Sequence, residues 1–318
     1  MDFALSDAQR AWQETARRLA REWPREGLAA AVAASAHAAS LFSSDLDAPT
    51  AVAIIEAAGI EHPVGAVTLA LELAVNVSLA GAVTLQPSTG RAVALSSEIM
   101  PQLEGSALSG RALWVGPVAD ETALIIGAAQ GSETVACAVA AGAAGVTMER
   151  IHAAGLHGCD CAHFSFDRTP CAVLGSPKPV MARVRVLLAA SGIGMGRRAA
   201  REALRAAVAY GRTGAGGEQT VQGLLADAAT ELDAAMLLVQ QAALRSPMSL
   251  ALASMAKLAA TEAAQRAVAR ATQIVGAESF REGHILEQLT QDARALELFA
   301  GRTEALREAV ADEVLPKA

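Results

Sequence analysis

The sequence predicts a mostly helical protein with a small β domain, arranged as an N-terminal α-helical domain over residues 1–90, a middle β domain over 91–180 and a C-terminal helical bundle over 181–318. Three observations carry this reading. Alanine, the strongest helix former, makes up about a quarter of the 318 residues. Apolar residues recur at three- and four-residue steps in the first and last parts, the period of a helix face. Between them the pattern changes to short apolar runs broken by Gly, Pro and Asp, which mark strands at hairpin spacing.

Ser6, with Gln9 three residues later, forms a capping box that opens an amphipathic run through Trp12, Ala16, Leu19 and Trp23, and Pro24 stops it. Apolar helices are expected over Thr50–Gly59 and Val64–Leu85, separated by Gly59 and Pro63. Strands are expected at Leu113–Val115, Ala123–Ile126, Thr134–Val139, Val146–Arg150 and Ala162–Asp167. In the last part Leu225, Ala228, Leu232, Met236 and Val239 share one helix face. Leu252, Met255 and Leu258 mark a second face, and Leu306, Val310 and Val314 a third. Gly211–Gly217 reads as a flexible connection between two bundle helices.

The charge balance excludes one class of partner. With a net charge of -7, a pI near 5.5 and no basic tract, the chain cannot hold nucleic acid by neutralising phosphates. Val64–Leu85 has the length of a membrane span, about 20 apolar residues, and only Glu72 and Asn76 interrupt it. Its small Ala, Val, Thr and Ser residues, with no aromatic belt and no flanking Lys or Arg, point instead to a helix buried inside the protein. No basic segment followed by an apolar run opens the chain, and four cysteines are too few for a disulfide framework. A cytoplasmic location is the expectation.

Two clusters invite a chemical reading. His157, Cys159, Cys161 and His163 are zinc-ligating residue types within seven residues, but so tight a spacing suits alternate positions of a strand better than one tetrahedral ion, so no metal is expected. Gly192, Gly194 and Gly196 lack the preceding strand and following acid of a dinucleotide loop, and read as small residues for close helix packing. No G-x-S-x-G elbow anchors a hydrolase triad.

Several segments are similar to the acyl-CoA dehydrogenase family. The opening Met1–Arg10 resembles the family's first helix, and Gln273-Ile-Val-Gly276 through Asp292-Ala-Arg294 aligns without a gap to its Q-I-x-G-G … Y-R-D-A-R segment. Ala256-Lys257-Leu258 with Glu262 resembles the preceding A-K-x-x-x-x-E helix, and Leu225-Ala226-Asp227 the L-A-D before that. Gly145–Glu149 and Cys159–Asp167 look like the end of the family's middle domain. The resemblance implies three domains (helical, β-barrel-like and a four-helix bundle), FAD shared across a subunit interface, and an acyl-CoA thioester substrate. It implies removal of an α-proton by a Glu while the flavin takes the β-hydride, in fatty acid or steroid catabolism.

The departures from the family shape the functional expectation. The family's E-G-T-x-E reads Ala300-Gly301-Arg302-Thr303-Glu304 here, so the base position is Ala300. Some relatives carry the Glu on the first bundle helix, and the matching region, around Arg185 and Val186, has no acid. Ala277 replaces the second Gly after Gln273 and Gly276, and Arg302 replaces a phosphate-side Thr. Arg212 alone stands near the place of an R-x-x-F-G segment, and Trp114 falls at the flavin-side aromatic with Gly116 where a Thr or Ser is usual. The middle-domain T-E-P-x-A-G-S-D loop is lost, with Ala94–Glu98 running almost directly into Leu108–Gly110.

By this resemblance the FAD-binding positions are Gln273, Gly276, Ala277, Arg302, Thr303, Glu304, Trp114 and Arg212. No catalytic residue is assigned, and Glu282 and Glu287 are the nearest candidates for a relocated base. The expected assembly is a heterotetramer with a second acyl-CoA dehydrogenase subunit that supplies the Glu, or a homodimer. The alternative is a flavin-free homodimeric binding or scaffold protein.

Overall fold

The computed structural model describes residues 4–41, 46–79, 90–94, 99–118, 122–212 and 217–315. It is mostly helical around one mixed sheet. The N-terminal part holds α1 (Asp7–Glu22), α2 (Leu28–Ala38), α3 (Ala48–Glu61) and α4 (Pro63–Leu79). Ser6 and Gln9 exchange both bonds of the capping box, and α1 ends at Glu22, before Pro24. Helix α4 is buried over the residues whose side chains are described, with the rest of Val64–Leu85 beyond Leu79 outside the described residues. Among the described residues no helix is long and apolar enough to cross a membrane.

The sheet contains β1 (Gly90–Ala94), β2 (Gln102–Glu104), β3 (Ala107–Val115), β4 (Thr122–Gln130), β5 (Glu133–Ala140), β6 (Val146–Ile151), β7 (Cys161–Pro170) and β8 (Ala172–Gly175). Its order is β6-β7-β3-β2-β4-β5-β8, with β1 parallel to β4. All five expected strands lie within β3 to β7. Three further strands, β1, β2 and β8, carry no sequence signal because they are only three to five residues long, and β1 and β8 also take their partners from distant parts of the chain. Leu108, Leu124, Ile126, Cys137, Phe164 and Phe166 form the sheet's own core, while Ile125, Ala136 and Ala138 face the helical core.

The C-terminal part comprises α5 (Lys178–Ala209), α6 (Gln219–Ala243), α7 (Leu250–Val275), a short 3-10 helix (Gly276–Phe280), α8 (Ile285–Leu298) and α9 (Thr303–Val314). Of the Gly211–Gly217 connection, residues 213–216 lie outside the described residues. On α6, Ala228, Leu232, Met236 and Val239 are buried as their spacing requires, and Leu225 is half-buried. On α7 the expectation needs correcting. Leu252, Met255 and Leu258 are half-buried, and the fully buried face is the alanine row through Ala253, Ala256, Ala260, Ala263 and Ala267. Small residues let α5 and α7 approach closely, so bulky side chains are displaced to the flank.

Gly59 does not end a helix. It lies inside α3, where its Cα faces Gly194 of α5: a Cβ on Gly59 would sit 3.1 Å from the Cα of Gly194. Gly192, Gly194 and Gly196 thus serve packing within α5, against α3 and α7. A Cβ on Gly194 would come within 2.6 Å of the Glu56 carbonyl oxygen and 2.8 Å of the Gly59 Cα, both backbone atoms that cannot step aside. Gly194→Ala should therefore destabilise the protein by about 3 kcal/mol through forced separation of α3 and α5, read by chemical denaturation. An unchanged denaturation midpoint would show that the crossing is looser than described.

Candidate functional site

The connection between α8 and α9 holds Ala300-Gly301-Arg302, the segment that the resemblance aligns with a base-bearing motif. Ala300 sits there with φ +56° and Gly301 with φ +115°, a left-handed stretch that reverses the chain in four residues. Two cations from the bundle hold it in place. Lys257 of α7, fully buried, donates from Nζ to the carbonyl oxygens of Glu297 and Gly301, both at 3.0 Å. Arg185 of α5 donates from Nε to the Ala300 carbonyl at 3.4 Å and from Nη1 to Ser254 Oγ at 2.7 Å. The two places where a base was sought, Ala300 and the Arg185 region, are thus brought into contact, and the side chain there is a guanidinium.

Burial makes these charges unusual. It lowers the Arg185 guanidinium to about 10. Burial and the neighbouring Arg185 charge pull Lys257 down to about 7, against a smaller opposing pull from Glu297. The carboxylate of Glu297 is held below its ordinary value even though burial opposes this, because it accepts from Thr303, Gln265 and Arg294. Sequence reasoning missed the pairing of Arg185 with the loop. A signal was present, since Arg185 sits in the apolar run Val184–Leu188 and Lys257 on the alanine face of α7.

The other positions that the resemblance assigns to a cofactor fall into three places. Arg302 is exposed at the start of α9 with its Nε 3.9 Å from Glu304, and no side chain caps the first turn of that helix. Thr303 turns inward, its hydroxyl bonded to Glu297. Gln273, Gly276 and Ala277 are exposed at the end of α7, where Gly276 takes φ +76°. Arg212 joins them, donating from Nη1 to the Ile274 carbonyl at 3.1 Å while lying over the Tyr210 ring.

Trp114 is placed in the sheet. The register of β3 against β7 shifts between Ala112 and Val115, and Trp114 takes φ +54°, which leaves its side chain 52% exposed. An aromatic residue in the left-handed region is strained, and such strain collects at functional positions. His163 supports it, accepting the Trp114 N–H on Nδ1 at 3.3 Å and meeting the indole edge-on at 5.9 Å.

The His/Cys cluster disperses only in part, since Cys159 and Cys161 stay in hydrogen-bond contact. His157 lines a polar cleft, Cys159 contacts Thr68 of α4, Cys161 lies beneath Gly116, and His163 holds Trp114. Among the described residues no three His, Cys, Asp or Glu side chains converge on a common point. The Cys161 position also accounts for Gly116: a Cβ there would lie 2.7 Å from Cys161 Sγ, so a Thr or Ser has no room. Of the candidate relocated bases, Glu282 is exposed and Glu287 lines the same polar cleft, bonded to Gln291.

Asp292 closes the back of that cleft. It is buried and accepts the backbone N–H of Leu156 at 2.6 Å and that of His157, so it ties α8 to the β6–β7 connection. Burial raises its carboxyl from 3.8 to about 7, outweighing those two bonds. A raised acid contributes stability that is complete below the unfolded value and is lost as pH rises through the folded one. The stability of wild type relative to Asp292→Asn should therefore fall between about pH 4 and 7 and stay level above, measured by denaturant titration at several pH values. A difference independent of pH would contradict the burial of this carboxyl.

The comparisons agree with this architecture. Residues 178–315 match the family model described as acyl-CoA dehydrogenase, C-terminal domain. That match takes in the whole C-terminal bundle, from α5 to α9. The fold of the whole chain is also that of the acyl-CoA dehydrogenases. It superposes on butyryl-CoA dehydrogenase from Megasphaera elsdenii with a TM-score of 0.82 at 17% identity, covering 99% of this chain and 100% of that one. It superposes on PigA with FAD and proline with a TM-score of 0.84 at 18% identity, covering 99% of each. In sequence it is similar to cyclohexane-1-carbonyl-CoA dehydrogenase of Geobacter metallireducens, 32% identical over 103 residues. That alignment spans only 31% of this chain and 27% of the relative.

Proposed function

We propose that this chain is a subunit of a FAD-dependent acyl-CoA dehydrogenase assembly whose catalytic Glu comes from a second acyl-CoA dehydrogenase subunit. The observation that carries the reading is the contact between Arg185 and Ala300. Both positions that could hold a base are occupied, one by a methyl group and the other by a guanidinium committed to the backbone.

The residues present fit part of a flavin dinucleotide in kind. The exposed Trp114 ring offers an apolar face, and Arg302, beside the uncapped first turn of α9, offers donors suited to a pyrophosphate. Thr303 is engaged with Glu297, so phosphate contact falls to Arg302 and the α9 amides. Gln273, Gly276 and Ala277, exposed at the end of α7, suit contact with a cofactor held by a neighbouring subunit. When bound, FAD would supply the hydride acceptor. The contribution of this chain is to position and to exclude water, while proton abstraction from the acyl-CoA falls to the partner.

The surface is consistent with assembly. Met255, Leu258, Val310, Val314 and Leu315 line an open apolar groove of about 510 Å³ between α7 and α9. Exposed apolar surface of this kind favours a partner. A homodimeric, flavin-free binding or scaffold protein is the second reading, and the inward turn of Thr303 is the observation that favours it. Co-expression with an intact acyl-CoA dehydrogenase chain from the same genome separates the two. A stable mixed complex that retains flavin supports the subunit reading; a colourless homodimer that ignores every such chain supports the scaffold.

A further inference from the structure

A second pocket lies away from the α8–α9 connection. It holds about 140 Å³ and is lined by Ala48 and Ala51 of α3, Leu73 of α4, Arg183, Val186 and Leu187 of α5, and Met248 before α7, with Leu46 and Asp47 at the start of α3. Its walls are apolar apart from two charges. Asp47 is engaged, its Oδ1 accepting the Thr50 N–H at 2.8 Å as the cap of α3. Arg183 is not. It is half-buried, and among the described residues it has no hydrogen-bond or ion-pair partner. Arg183 and Arg185 stand two positions apart and so on opposite faces of α5, which leaves Arg185 to the Ala300 connection and Arg183 to this pocket.

We propose that this pocket binds a compact apolar carboxylate, with the carboxylate on Arg183 and the hydrocarbon body against Leu73, Val186, Leu187 and Met248. A guanidinium taken partly out of water with no hydrogen-bond or ion-pair partner is costly, and a carboxylate supplies two parallel charge-assisted bonds to it. The volume limits the body. An apolar cavity of about 150 Å³ holds one benzene ring, so a single six-membered ring or a chain of similar bulk fits here, and a fused ring system does not. The inference does not rest on the subunit reading, because it needs neither flavin nor a partner.

Calorimetric titration of the full chain at neutral pH with benzoate, and with the uncharged benzamide of the same shape, tests it. We expect benzoate to bind at least about tenfold more tightly than benzamide, as a charge-assisted pair requires. In Arg183→Met that preference should disappear while benzamide binds as before. Equal binding of the two probes to wild type, or no binding of benzoate, overturns the proposal without need of the variant. A preference for benzoate that survives in Arg183→Met overturns it as well, since another cation would then be responsible.

Discussion

At about pH 10, Lys257→Met should destabilise the protein by about 2–4 kcal/mol, because it leaves two buried carbonyl oxygens without donors. Those of Glu297 and Gly301 both depend on the Lys257 amine, which bridges the end of α8 to the turn before α9. Methionine fills a similar volume, so packing changes little and the loss reports the bonds. The cost is offset in part, since removing the amine also relieves the repulsion that Arg185 exerts on it. The pH dependence identifies the group. Burial and Arg185 lower Lys257 from 10.5 to about 7, so its contribution is fullest above the unfolded value and is lost as pH falls towards the folded one. Denaturation across this range should show the gap between wild type and variant narrowing from about pH 10 to 7 and level below. A neutral amine still has two hydrogens, enough for both carbonyls. A gap that is constant with pH would mean that the amine stays charged throughout.

Ala300→Glu should restore a base to the motif. Alanine already accepts φ +56° at this position, so glutamate adds no new backbone strain, and the half-buried site leaves room at the mouth of the turn. With flavin and an acyl-CoA present, flavin reduction should rise by about 10²–10⁴-fold, the usual worth of a positioned general base. Ala300→Gln, with the same shape and no basicity, should gain nothing. The guanidinium of Arg185 beside the Ala300 carbonyl would hold the new carboxylate ionised and blunt its basicity. If the Glu and Gln variants behave alike, either the substrate does not reach this turn or no flavin lies beside it.

The parts of the fold that were legible are those where one local signal suffices. The Ser6–Gln9 box and the Pro24 stop act within one turn of chain, and both stand as expected. The five strands from β3 to β7 carry enough alternation to be seen alone. Strand β1 could not be seen, because its pairing of Gly90 with Thr122 is made by a segment more than thirty positions away. Gly59 misled for the same reason: a glycine inside a helix and one ending it look alike until Gly194 is placed against it. Helix α2 lacks a readable period, since Leu28–Ala38 is nearly uniform in alanine.

The residue types of the candidate site were legible, and their arrangement was not. Ala300 and the missing acid near Arg185 could be read from the motif, but nothing in the sequence places those two positions in contact across 115 residues. Gly116 reads as a lost hydroxyl until Cys161 is seen beneath it. His163 reads as a metal-ligand type, and its work is to hold the indole of Trp114. In each case the residue type was informative and the neighbour decided its role.

The most direct measurement is the visible absorption spectrum of this chain purified alone and then in complex with an acyl-CoA dehydrogenase subunit, each titrated with FAD and then with acyl-CoA. We expect flavin absorption that bleaches on acyl-CoA addition in the mixed complex, and no bleaching in the chain alone. A chain that binds flavin by itself and is bleached by acyl-CoA without any partner would contradict the shared-site assignment, and would place a working base somewhere other than Ala300.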